Sequence, residues 1–353
     1  MKTFNSDLWQ YLTHMSSDGR PIVLYGTGDG ADKIIRVLEN VNVPISGIFA
    51  SPGFVRNRSF HDIKVESFED CYARFGDTMI ILMCFGSSRP EVLSYADFLR
   101  SKCELYAPDV PVYGNNLFDL NFYNSNYDAL LKVRSLLADE ASVKTFDDII
   151  AARLTGDVSY LKDCEVSQEE SDALLNTSRE GLMIDLGAYN GDTVLRYRPM
   201  FSSLTGIIAV EPDSRNMRKL RENTSELDIN IDHIQAFISD KEGSVMSDRN
   251  LGRGTSAAKG NKIEIPTVTI DGLVNNRPVA FIKFDVEGSE LEALNGGTIS
   301  IRNNKPMMCV ACYHRSEDLF ALPLKVLNIN PDYKVFMRHT PSIPAWDTYF
   351  YFV

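Results

Sequence analysis

Residues 182–193 read LMIDLGAYNGDT, and this stretch decides the fold. Three apolar residues run into Asp185, Gly187 and Gly191 flank a tight turn, and Asp192 and Thr193 open a helix. An acid at the end of a buried strand, followed at once by glycines, is how a doubly wound sheet builds a small-molecule site. The pattern differs from G-x-G-x-x-G in its first position, which is a carboxylate. A carboxylate aimed into the turn repels a pyrophosphate and suits a ligand that carries positive charge there.

Around this turn, residues 181–353 alternate strand and helix patterns. The expected strands are LMIDLG, GIIAVEP, IDHIQAFIS, AFIKFDVEG, MMCVACYH, YKVFMRH and DTYFYFV, the last two close to a hairpin. Seven strands with helices after the early ones describe a full Rossmann-like domain. Residues 116–180 read as a helical connector, with one helix through Leu130, Val133 and Leu137. A second runs from Val143 through Phe146, Ile149, Ile150 and Leu154 and stops at Gly156. Residues 1–115 form a smaller α/β unit. PIVLYGTG is a strand ending in glycines, Ala31, Ile34, Ile35 and Leu38 mark a helix, and ISGIFAS, TMIILMCFGS and CELYAP are further strands. The fold class is therefore α/β, with two Rossmann-like units in series.

Composition bounds the function. The chain has 353 residues and a net charge of −12, which argues against a phosphate track for nucleic acid. No apolar run approaches the ~20 residues of a membrane helix, and MKTFNSDLWQ lacks a signal-peptide layout. A cytoplasmic location without membrane insertion is the expectation. Six cysteines are scattered, with one C-x-x-C at Cys309 and Cys312. A zinc site wants a second pair or histidines at ligand spacing, so these read as thiols in an apolar strand. No metal is assigned.

Three strand-end acids converge in the second unit. Asp185 closes the first strand. Glu211 closes GIIAVEP, near the ~20-residue interval at which a second-strand acid meets a ribose. Asp285, in FIKFDVEGSE, ends the fourth strand beside the first. Ligands of open α/β sheets sit outside the carboxyl ends of strands. Any one of these acids alone could instead be a helix N-cap, as expected for Asp213 and open for Asp192.

With those residues in view, the chain resembles the FkbM-type family of S-adenosylmethionine-dependent methyltransferases. The resemblance rests on DLGAYNGDT (185–193), AVEPDSRNMRKLREN (209–223), Thr269 to Asp271, IKFDVEGSELEALNGG (282–297), YHRSEDLFALPLKVL (313–327) and DTYFYFV (347–353). Its most specific element is D-x-E-G-x-E-x-x-x-L, from Asp285 to Leu294. The resemblance implies a class I methyltransferase fold and methyl transfer to a hydroxyl of a sugar or polyketide-like acceptor. It implies that Asp185, Gly187 and Gly191 shape the methionine pocket, that Glu211 holds the ribose, and that Ala236, Phe237 and Ile238 lie around the adenine, with Asp240 nearby. Ala188, Tyr189, Asp192, Thr193 and Pro212 are counted with the donor-binding residues. Tyr189 either stacks on the cationic donor or packs.

Asp285 and Glu287 fall where donor meets acceptor, and with His314 they are the candidate general bases. His314 has the alternative of a polar strand-end histidine. The spacing of Asp285 and Glu287 permits a divalent ion and does not require one. The loop GRGTSAAK (252–259) is either a cover over the acceptor, with Arg253 on a phosphate, or solvated.

The N-terminal turn YGTGDGADK places Gly26, Gly28 and Gly30 ahead of a helix whose N-terminus suits a phosphate. No acid ends the second strand there, which counts against NAD. The unit resembles small domains that precede sugar-modifying transferases, holding a nucleotide-linked sugar or serving in docking and homodimer formation. The expected function is an O-methyltransferase on a sugar, glycan or nucleotide-sugar intermediate, as in surface polysaccharide biosynthesis or secondary metabolism. The alternatives are an NAD-linked oxidoreductase using the Gly26 turn and a non-catalytic nucleotide-sugar-binding scaffold.

Overall fold

The first sheet grows from the apolar runs of the N-terminal unit. Its strands are β1 (Ile22–Tyr25), β2 (Gly47–Phe49), β3 (Ser59–Phe60), β4 (Ile63–Glu66), β5 (Ile80–Met83) and β6 (Glu104–Tyr106), in a computed structural model that describes residues 2–56, 58–248 and 262–353. Their order is β3-β4-β2-β1-β5-β6. All pairs are parallel except the β3–β4 hairpin at the edge. Sequence reading finds β1, β2, β5 and β6 but misses β3–β4, because six residues of mixed polarity, only Val65 of them fully buried, carry no clear two-residue period. Pro90 starts the helix Pro90–Arg100 at its first position, where a missing N–H costs nothing.

The connector is helical as expected, and its boundaries follow local chemistry. The helix Glu140–Thr155 begins at Asp139, whose carboxylate accepts the Ser142 N–H. It ends at Gly156, in the left-handed region at φ +68°. The polar stretch after it contains two short helices, Ser159–Cys164 and Gln168–Asp172.

The second sheet contains β7 (Gly181–Leu186), β8 (Leu204–Val210) and β9 (Ile231–Ile234). The run IDHIQAFIS does not continue as one strand. It breaks after Ile234 and resumes as β10 (Phe237–Ile238) in a separate three-stranded sheet with β11 (Gly243–Asp248) and β12 (Lys262–Val268). The main sheet then resumes with β13 (Val279–Phe284), β14 (Met307–Ala311), β15 (Val335–His339) and β16 (Thr348–Phe352), in the order β15-β16-β14-β13-β7-β8-β9. It is seven-stranded, with β16 antiparallel to both β14 and β15. The strands β11 and β12 escape sequence reading, since they alternate weakly and flank a polar stretch of sequence. The segment GRGTSAAK and Arg253 lie outside the described residues.

One apolar core runs from Val23, Tyr25 and Ile81 of the first sheet, through Phe118, Phe146 and Ile149 of the connector, to Ile184, Ile282 and Phe284 of the second. Alternation along β1 sends Ile22 and Leu24 to a second core on the outer face. Two segments lock the halves together. Ser87, just past β5, exchanges two backbone hydrogen bonds with Ile343, at 2.8 and 3.1 Å. The connector also covers the edge of β15: Ala138 N–H donates to Val335 C=O, and Met337 N–H to Ser142 Oγ. An edge strand covered in this way cannot recruit another chain. Among the described residues no helix is long and apolar enough to cross a membrane.

Candidate functional site

The switch point of the second sheet lies where β13 and β8 flank β7, and the chain ends leaving those strands surround it. At Gly187, φ is +81°, and a Cβ would overlap the Asp285 carbonyl oxygen. Glycine is therefore required by both conformation and space. Gly191, at φ +89°, sits against Leu220 and Thr224. Asp192 is the first residue of the helix Asp192–Tyr197 rather than its cap, and its carboxylate accepts the Thr193 N–H at 2.8 Å. Asp213 caps the helix Ser214–Thr224 through the N–H groups of Arg215 and Asn216. Thr269 caps another helix, and Asp271 accepts from the N–H groups of Ile299 and Ser300, so that motif is structural.

A cavity of about 1960 Å³ opens over these strand ends. Of the residues singled out in the sequence, Gly187, Tyr189, Asp192, Thr193, Glu211, Pro212, Ala236, Phe237, Asp285 and Glu287 line it. Asp185, Ala188, Gly191 and His314 do not form its walls; Asp185, Ala188 and His314 are fully buried behind them. The far wall comes from the N-terminal half, through the helix Pro90–Arg100 and Tyr113.

Asp185 shares a row across the sheet with Ala209, Lys283, Cys309 and Tyr351. Both its oxygens are buried without a hydrogen-bond partner. Burial pushes its carboxyl up to about 7 against the pull of Lys283, with Asp192, Asp285 and Glu211 adding to the rise. Glu211 accepts the N–H groups of Tyr189 and Asp213, at 2.9 and 2.8 Å. Burial raises it to about 6 despite those donors.

Asp285 holds Lys283 Nζ, the Tyr313 hydroxyl and the Tyr349 hydroxyl, each at 3.0 Å. Glu287 sits at φ +53° with its side chain 48% exposed. Its carboxylate lies 3.7 Å from His314 Nε2. His314 Nδ1 pairs with Glu290 at 2.8 Å, and Nε2 lies 3.4 Å from Asp285. Burial would lower the imidazole pKa, but Glu290, Asp285 and Glu287 outweigh it and raise it to about 9. This corrects the expectation that His314 faces the acceptor as a base, because the ring is fully buried behind the wall and three nearby carboxylates favour its charged form.

Sequence reading missed Lys283, Tyr313, Tyr349 and Glu290. A lysine inside the apolar run AFIKF is the one signal that could have been followed, since buried lysines need a carboxylate partner. Cys309 and Cys312 are buried free thiols, and burial pushes Cys309 up to about 12. Among the described residues no group of three or more His, Cys, Asp or Glu side chains could hold a metal ion.

The N-terminal glycine turn is built differently. A Cβ at Gly26 would lie 2.5 Å from the Phe85 ring, and one at Gly30 would overlap the Cys84 carbonyl oxygen. The first turn of the helix Asp29–Asn40 carries Asp29 and Asp32, which oppose a phosphate. Neither Gly26, Gly28 nor Gly30 lines the large cavity.

Residues 185–339 match the family model described as the methyltransferase FkbM domain. A crystal structure of methyltransferase FkbM from Methylobacillus flagellatus is similar over 97% of this chain and 93% of that one, with 20% identity and a TM-score of 0.73. More distant are Aeropyrum pernix fibrillarin with natively bound S-adenosyl-L-methionine (15% identity, 52% of this chain, 74% of that one, TM-score 0.34) and a Geobacter metallireducens precorrin-6y C5,15-methyltransferase (13% identity, 53% and 88%, TM-score 0.31). No curated protein matches. The doubly wound sheet announced by LMIDLGAYNGDT thus lies in a region, residues 185–339, that matches the methyltransferase FkbM domain.

Proposed function

We propose that this chain binds S-adenosylmethionine over the carboxyl ends of β7, β8 and β13 and methylates a hydroxyl oxygen of a sugar or glycan. The observation that carries the reading is the set of carboxyls around one turn without side-chain bulk. Asp185 has two buried oxygens lacking partners, Gly187 lets the turn pack directly on the Asp285 carbonyl, and Glu211 stands at the end of β8 on the cavity wall. Those residues fit a ligand with cationic and hydroxyl groups. A buried carboxyl without a partner is costly, and an ammonium or sulfonium nearby offsets that cost. Glu211 retains acceptor capacity beyond its two backbone donors, enough for a ribose diol. Pro212, Ala236 and Phe237 supply an apolar wall for a purine.

When bound, the donor supplies an electrophilic methyl carbon: the acceptor oxygen bonds to it as the carbon–sulfur bond breaks, and the electron pair returns to sulfur. The protein's own work is alignment, which can contribute up to ~7–11 kcal/mol, and proton removal. Asp285 is committed to Lys283, Tyr313 and Tyr349 and acts as a fixed anchor. Glu287, on the cavity wall, takes the hydroxyl proton. His314 stays an imidazolium and steadies both carboxylates.

Donor binding tests this assignment. Titration calorimetry with S-adenosylmethionine should show affinity reduced at least about tenfold in Glu211→Ala, since hydrogen bonds to a charged group contribute ~1.5–3 kcal/mol each. Glu211→Gln keeps the shape and should lie between. Unchanged affinity in both variants would remove Glu211 from the donor site.

A further inference from the structure

We infer that Tyr113, contributed by the N-terminal half, is the platform on which an uncharged glycosyl ring of the acceptor lies, with its hydroxyl directed at Glu287. The inference rests on the sugar O-methyltransferase reading and narrows it.

Tyr113 belongs to the segment between β6 and the connector, far in sequence from the methyltransferase motifs. Its backbone N–H nevertheless donates to the His314 carbonyl at 3.0 Å. At Gly288, where φ is +98°, a Cβ would lie 2.6 Å from Tyr113 Cβ. Gly288 directly follows Glu287, so the missing side chain lets the tyrosine pack on the backbone next to that residue, and both line the cavity. The Arg315 guanidinium stacks 4.5 Å from the ring centroid, and its Nε donates to the Gly288 carbonyl at 2.6 Å. The ring is therefore fixed in place, yet the residue remains 55% exposed on the cavity wall. A ring held from the backbone and by one cation, and left open on the cavity wall, is available to a ligand without reordering. An aromatic face and a carboxylate on one cavity wall suit a pyranose, which presents C–H groups on one face and hydroxyl donors at its rim.

The charge of the acceptor follows from the cations on this side of the cavity. Among the described residues that line it outside the helix Ser214–Thr224, Lys162 pairs with Asp97, Arg196 with Asp172 and Lys283 with Asp285. Each of these is matched by carboxylate, leaving no excess among them for a diphosphate. Arg215, Arg218 and Lys219 sit at the opposite, donor end, on the helix Ser214–Thr224. The geometry favours a neutral glycosyl unit over a nucleotide-linked sugar.

The test is label transfer from methyl-tritiated S-adenosylmethionine to a panel of methyl glycosides and, separately, to UDP-glucose and UDP-galactose. It uses the full chain and its Tyr113→Ala and Tyr113→Phe variants. Donor affinity by calorimetry serves as the folding control. Tyr113→Ala should raise KM for the accepted glycoside about tenfold, the size of a lost stacking contact, with kcat changed far less. Tyr113→Phe should behave as the parent, because the ring face does the binding. Equal KM in Tyr113→Ala overturns the platform while leaving the methyltransferase reading intact. Preference for the UDP-sugars overturns the neutral acceptor. If the donor binds and neither class is methylated, the sugar reading itself fails, and the platform with it.

Discussion

Asp185 and Glu211 both titrate above their ordinary range, to about 7 and about 6, because burial disfavours their ionised forms. A carboxyl whose folded pKa is raised costs stability as pH climbs above its unfolded value near 4, and that cost is complete near the folded value. A bound cation removes it by favouring the ionised form. Donor binding between pH 6 and 7 should therefore release a fraction of a proton. Calorimetric heats in phosphate and in Tris, which differ in ionisation enthalpy, should differ accordingly, and identical heats would mean that the carboxyls are already ionised. His314 has the opposite sign. Its raised pKa makes it stabilising at pH values below about 6.5, and the contribution is lost as pH rises through about 9. That cation explains why three carboxylates can share so small a volume.

Two glycine turns that look alike in sequence do different work as elements. Gly187 closes β7 against β13, and its backbone geometry admits no side chain. Gly187→Ala should cost on the order of 3 kcal/mol, combining positive-φ strain and a backbone overlap, and should weaken donor binding. Gly30→Ala, which forces a methyl onto the Cys84 carbonyl, should lower the melting temperature but leave donor affinity of the folded protein unchanged. Melting curves and calorimetry on both variants separate a site glycine from a packing glycine. The split of IDHIQAFIS belongs to the same scale. Phe237 and Ile238 pair with β12 instead of extending β9, and this brings Ala236 and Phe237 to the cavity. A period-two pattern cannot report which partner a strand chooses.

For the whole molecule, the decisive feature is that the two Rossmann-like units share one core and one cavity. Arg153 and Asp109 form a 2.8 Å ion pair, both nearly fully buried, between the connector and the segment that carries Tyr113. Removing one partner leaves a buried charge, so Asp109→Ala should cost about 3–5 kcal/mol. Denaturant unfolding followed by the fluorescence of Trp9 in the first unit and Trp346 in the second can measure this. One coincident transition for both probes is expected, because Gly86 packs so tightly on Trp346 that a Cβ there would overlap its ring. Two separated transitions would show that the halves fold independently.

The sequence alone determined the α/β class, the seven strands of the second sheet, the glycine turn at 187 and the acids at 185, 211 and 285. These features are local: burial alternation, caps and strand-end chemistry are written within a few residues of one another. Tertiary structure alone decided that Asp185 and His314 stand behind the cavity wall and that Lys283, Tyr313 and Tyr349 converge on Asp285. It also placed Tyr113, from the other half of the chain, against Gly288 on the wall of the same cavity. Such placements depend on strand register and on which surfaces pack, and no pattern along one segment encodes the position of another.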